Sequence, residues 1–173
     1  MIANPKCLAL IFVLTTTLGW AQTKEEALRD AKITAQAAVE NDLDLVLNHT
    51  LPTVVEMMGG IENAKNMIAQ TFQSMEKQGF KILKSDIVSV SDIVQEQNQY
   101  RCYVENHIEM VTNDQGIFSK SYLLGVYNED GNYWWFVEAK QLQTPSMAEL
   151  IIPGYKTQLE IPQDEVKPKS KGD

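Results

Sequence analysis

The chain has 173 residues, with 15 Lys+Arg against 23 Asp+Glu and a formal net charge of −8. Acidity of this degree excludes binding to nucleic acid or to anionic lipid through general electrostatics, and the length suits one domain around a single core. The two cysteines, Cys7 and Cys102, lie far apart in sequence, and Cys7 falls in a segment expected to be removed. No intrachain disulfide then remains, so Cys102 reads as a small buried hydrophobe rather than a nucleophile.

The N-terminus has the layout of an export signal. Lys6 precedes an apolar stretch from Leu8 to Leu18, and Gly19-Trp20-Ala21 places small residues where a signal peptidase reads. Residues 1–21 are therefore expected to be cleaved after Ala21, directing the protein to a secreted or periplasmic location. The alternative is an uncleaved anchor, but eleven apolar residues are short against the roughly 20 that span a bilayer. No membrane attachment is expected after cleavage.

Thr23-Lys24-Glu25-Glu26 reads as a capping box opening a helix with an apolar stripe of Leu28, Ala31, Ala35, Ala38 and Val39. Asn41-Asp42 interrupts it, and Asp42 is placed to cap a second helix reaching Leu47. Pro52 and Gly59-Gly60 bracket a short connection, either one helical turn or a short strand. A third helical pattern runs from Ile61 to Gln78 and stops at Gly79. Its methionines could line an adaptable ligand site, although such a stripe more often belongs to core.

After Gly79 the period changes to that of strands. Phe80–Val94 is the longest segment and is expected to bend. Gln99–Thr112, Ile117–Tyr127 and Asn132–Leu142 follow, joined by turns at 95–98, 113–116 and Asp130-Gly131. Short connections imply antiparallel neighbours. Tyr100, Cys102, Val104, Asn106, Ile108 and Met110 form the better face for helices to cover, and Arg101, Tyr103, Glu105, His107 and Glu109 form the other. In Trp134-Trp135-Phe136-Val137-Glu138 both faces are apolar, which predicts a cover on each side and points to a homodimer through the sheet. The 143–173 extension weakens in pattern, with disorder expected from about Gln163.

The fold class expected is thus α+β, with N-terminal helices packed on a strongly curved antiparallel sheet enclosing a pocket. The order of helices and strands resembles the nuclear transport factor 2-like superfamily over about 23–142. Carrying the resemblance are Asn41-Asp42-Leu43-Asp44, Pro52-Thr53-Val54-Val55 with Gly59-Gly60, Ser121 to Val126, and Trp134 to Glu138. It implies a cone-shaped domain with a cavity between helices and sheet, often dimeric. That fold hosts isomerases, dehydratases, binding proteins and association modules, so it does not choose a function. The ketosteroid-isomerase-like branch uses a tyrosine of the first helix, and no tyrosine precedes Tyr100 here.

Glu138 is the single catalytic candidate: on an apolar strand beside Trp134 and Phe136 its carboxyl would be desolvated and its pKa raised. The plainer reading puts it at the rim, paired with Lys140 or solvated. Asn106 and Tyr122, with Trp134 and Phe136, complete a candidate ligand site; each polar member could equally be a satisfied core group. His49 is read as a helix-end residue and His107 as a surface residue. No metal motif, cofactor motif, phosphate loop or nucleophile elbow is present, and Asn48-His49-Thr50 is a glycosylation sequon. The residues favour a secreted, non-enzymatic module for a small apolar or amphipathic molecule. The competing expectation is a cofactor-free acid/base enzyme, an isomerase or dehydratase, using Glu138.

Overall fold

The structure is a computed structural model that describes residues 23–112 and 115–169. The expected export signal and the last four residues lie outside the described residues.

Thr23 caps the first helix, α1 (Lys24–Glu40), as its sequence predicts. Its hydroxyl accepts from the Glu26 amide at 3.1 Å, and the Glu26 carboxylate accepts from the Thr23 amide at 3.1 Å. Asn41 ends α1 in the left-handed conformation at φ 60°, and Asp42 caps α2 (Leu43–Asn48) through the Leu45 amide. The short connection resolves as a helix, α3 (Pro52–Met57), with proline at its first position where a missing N–H costs nothing. Gly59 and Gly60, both at positive φ, swing the chain into α4 (Ile61–Lys77), and Gly79 at φ 80° turns it into the sheet.

The strands are β1 (Phe80–Val90), β2 (Val94–Glu96), β3 (Gln99–Thr112), β4 (Gln115–Asn128), β5 (Tyr133–Glu138) and β6 (Glu165–Pro168). They form an open antiparallel sheet in the order β1-β3-β4-β5, with β2 also on β3 and β6 also on β4. The long first segment divides at Ser91–Ile93, and β1 carries register shifts at Ile82/Lys84 and Ile87/Ser89. Gln97 and Asn98, both at positive φ, make the two-residue turn from β2 to β3. Between β5 and the five-residue 3₁₀ helix Ala139–Gln143 there is no break, and α5 (Pro145–Ile151) follows with a second N-terminal proline.

The inner face of the sheet is the one the sequence marks. Cys102, Val104, Ile87, Trp134 and Phe136 pack against Ala27, Ala31 and Ala35 of α1. Alanines on α1 let helix and sheet approach closely. Asp30, buried on the same helix, accepts from the Trp134 amide at 3.0 Å and ties α1 to β5. His49–Leu51 runs along the free edge of β5: the Phe136 amide donates to His49 O at 2.7 Å, and the Leu51 amide to Phe136 O at 3.0 Å.

Two findings differ from the sequence reading. The second apolar face of β5 is covered by the chain itself. Leu124, Val126, Val137 and Trp135 pack with Leu142, Ala148, Ile151, Ile152, Tyr155, Leu159 and Ile161. That face therefore gives no argument for a second subunit. Nor does order stop near Gln163. Glu165–Pro168 pairs with β4, because β5 is short and leaves the 117–120 edge of β4 unpaired, and Asp164 accepts from the Tyr122 amide at 3.3 Å between the two. No helix among the described residues is long and apolar enough to cross a membrane.

Candidate functional site

A cavity of about 300 Å³ lies between the helices and the inner face of the sheet. That is at the small end of ligand sites, which run roughly 300–1,000 Å³. Its walls are mostly apolar: Ala35, Ala38 and Val39 of α1, Val46 of α2 and Val54 of α3 on the helical side, and Ile82, Ile108, Leu123 and Phe136 on the strand side. Phe72 of α4 completes the lining.

The polar members are few, and most have committed their hydrogens. Thr34 Oγ1 donates to Asp30 O at 2.8 Å, and Thr50 Oγ1 donates to Val46 O at 2.8 Å. Ser85 Oγ donates to Asn106 Oδ1 at 2.9 Å. His49 Nδ1 lies 2.9 Å from Trp134 O, and a carbonyl can only accept, so Nδ1 carries hydrogen and Nε2 holds a lone pair in the neutral ring. The amides of Asn106 and Gln141 supply the remaining donors of the lining.

Glu138 is the last residue of β5 and sits opposite Leu123, in the inner row that also holds Val104. It makes no hydrogen bond or ion pair among the described residues, Lys140 included. Burial, reinforced by the Asp164 carboxylate and opposed by Lys140, pushes its carboxyl up to about 7. The residue is nonetheless exposed, as the plainer sequence reading allowed, and solvent moderates that push.

Of the sequence-predicted site residues, the structure brings Asn106, Phe136 and Glu138 together in one lining. Trp134 shares their face but is fully buried against α1, away from the cavity. Tyr122 does not join them. It pairs with Glu105, which puts it on the opposite face, in edge contact with Tyr103. That is a correction with a simple cause: Ser121, not Tyr122, is the partner of Asn106, and a shift of one residue reverses the face. His49 is the residue that sequence reasoning set aside. It ends α2 as expected, but its ring turns to β5 and lines the cavity, an outcome that only the 49–51 pairing along β5 produces.

His107 lies outside this site. On the other face its Nε2 is 2.6 Å from Glu105 Oε1, and Lys120 approaches the same oxygen at 3.4 Å. Against the upward push of burial, His107 and Lys120 hold the Glu105 carboxyl below its ordinary value. Cys102 is fully buried, and burial pushes its thiol up to about 12, so it is no nucleophile. No group of three or more His, Cys, Asp or Glu side chains among the described residues could hold a metal ion. No protein-family model, no curated protein and no solved structure matches this chain.

Proposed function

We propose that the protein is an exported, non-enzymatic module of the nuclear transport factor 2-like type that holds one small, largely apolar molecule. The observation that carries the reading is the cavity of about 300 Å³, apolar on most sides with a few polar groups and one lone carboxyl. An apolar enclosure supplies affinity by burial, and the few polar groups orient the guest. The helices-first order supports the cone-type fold, as do the register shifts in β1, since extra residues of this kind bend and coil antiparallel strands.

The test is saturation-transfer NMR with 2-phenylethanol on the natural protein and on Ala38→Phe, a substitution that fills the cavity from α1. Binding to the first and its loss in the second, with unchanged circular dichroism, is the expected result. Equal binding to both, or none to either, removes the reading.

A second reading, cofactor-free proton transfer, draws on one observation: a carboxyl near neutrality inside an apolar cavity can serve as acid or base. It requires exchange of α-protons of a bound ketone with solvent deuterium, lost in Glu138→Gln. A ketone that binds without exchange leaves the binding module.

A further inference from the structure

We infer that the cavity selects molecules carrying a primary amine on an apolar body and discriminates against carboxylates and phosphates. The inference rests on the binding reading above and names the ligand class of the same site. Three observations point the same way. No Lys or Arg among the described residues lines the cavity, so a buried anion finds no fixed cation there, and His49 is the single side chain of that lining able to take up a positive charge. The hydroxyls of Thr34, Thr50 and Ser85 and the Nδ1–H of His49 are all spent on protein acceptors, so the donors left in the lining are the side-chain amides of Asn106 and Gln141. Glu138 is the lone carboxyl of the lining and lacks any ion-pair partner among the described residues. A mostly apolar cavity that bears one carboxyl and no fixed cation is complementary to an ammonium group with three donors on a hydrocarbon body.

Size narrows the class. A cavity of roughly 150 Å³ is enough for a benzene ring, so a space of about 300 Å³ takes one ring with a short chain. The charged groups that act on Glu138 are Asp164 beside β4, which opposes its ionisation, and Lys140 two residues on, which favours it; His49 is the other titratable residue of the lining. Binding an ammonium requires the ionised carboxylate. A bound amine therefore expels a proton from Glu138 near neutrality, and its affinity rises with pH while the amine itself stays protonated.

Calorimetry with three probes of one shape decides it: 2-phenylethylamine, 2-phenylethanol and 3-phenylpropionate. The amine should bind about tenfold or more tighter than the alcohol near pH 8, lose about that factor near pH 5.5, and release protons on binding. The propionate should be weakest. In Glu138→Gln the amine should fall to within about twofold of the alcohol, since the neutral amide cannot pair with the ammonium. Asp164→Asn, which keeps an acceptor for the Tyr122 amide, should move the pH midpoint of amine binding downward and so reports on the site without altering its lining. An alcohol that binds as tightly as the amine, or a propionate that binds best, overturns the inference while leaving the binding module intact. If none of the three saturates the protein, both fall together.

Discussion

Glu138 concentrates the residue-scale physics. Its folded-state pKa of about 7 stands above the ordinary carboxyl value of 4.5, so between those values the native state holds more protons than the unfolded chain. The stability contributed by the protonated form is complete below the ordinary value and is lost as pH rises through about 7. Glu138→Gln keeps the shape without the charge and should therefore be more stable than the natural protein at pH 8 and equal to it at pH 4.5. Discounted for the exposure of the residue to solvent, the gain is roughly 1 kcal/mol, about 2–4 °C in melting temperature for a domain of this size. Paired thermal melts at the two pH values check it, and a variant no more stable at pH 8 rules out the desolvated carboxyl. The inner-face positions of Asn106, Phe136 and Glu138 were legible because each strand alternates. Tyr122 was not, because β4 is apolar on both faces: Leu123 points inward while Tyr122 and Leu124 point outward, and only pairing with β3 separates them.

At the scale of elements, α1 and α4 have the same length and opposite standing. Five residues of α1 are buried, and its alanine stripe and Asp30 clamp bind it to the sheet. Only Ala64 of α4 is buried, although the helix is clearly amphipathic, and Ile61 and Met67 stay exposed. The methionine stripe that resembled core is thus only partly used: Met67 faces solvent, and Met75 is half-buried. Glycines at positive φ flank the helix at Gly59-Gly60 and at Gly79, so little in the backbone resists its movement. Helices with few buried apolar contacts open at low free-energy cost. Amides of α4 should exchange hydrogen at least about tenfold faster than those of β3 and β4, with added 2-phenylethanol slowing them through Phe72. Hydrogen–deuterium exchange by mass spectrometry measures this, and α4 protection equal to that of the central strands would show the helix to be firmly docked.

At the scale of the whole molecule, the C-terminal extension is structural. It covers the outer face of β4 and β5, and it supplies partners to a buried charge pair. Arg101, fully buried, lies 3.7 Å from Glu96, donates to Lys156 O at 3.1 Å and stacks against Tyr155. Glu96 Oε1 accepts from the Gln158 amide at 2.6 Å. A chain ending at Gln143 would lose these partners and the burial of Ile151 and Ile152, each worth roughly 1.5–3 kcal/mol, against a total stability of about 5–15 kcal/mol. Such a chain should associate or melt without cooperativity, with Trp135 emission shifted to the red. Light scattering and fluorescence test this, and a monomeric chain melting cooperatively within a few degrees of the full protein would reduce the extension to decoration.

The sequence by itself determined α1, α2 and α4 with their punctuation, the change of period at Gly79 and the antiparallel pairing, and it favoured the inward face of β3 while leaving α3 and α5 open between helix and strand. Each of these depends on neighbours within a few residues: a capping side chain, a glycine at positive φ, or an alternation. Only the tertiary structure decided that His49 turns into the cavity, that Tyr122 turns away from it, and that the tail folds back onto β4 and β5. Those outcomes rest on pairing between separate elements, such as Tyr122 with Glu105, Lys120 with Glu165 and His49 with Trp134. Local patterning says which residues are apolar or paired within their own element. It carries no information on which distant edge or face is left unpaired, and burial of that edge is what selected the partner.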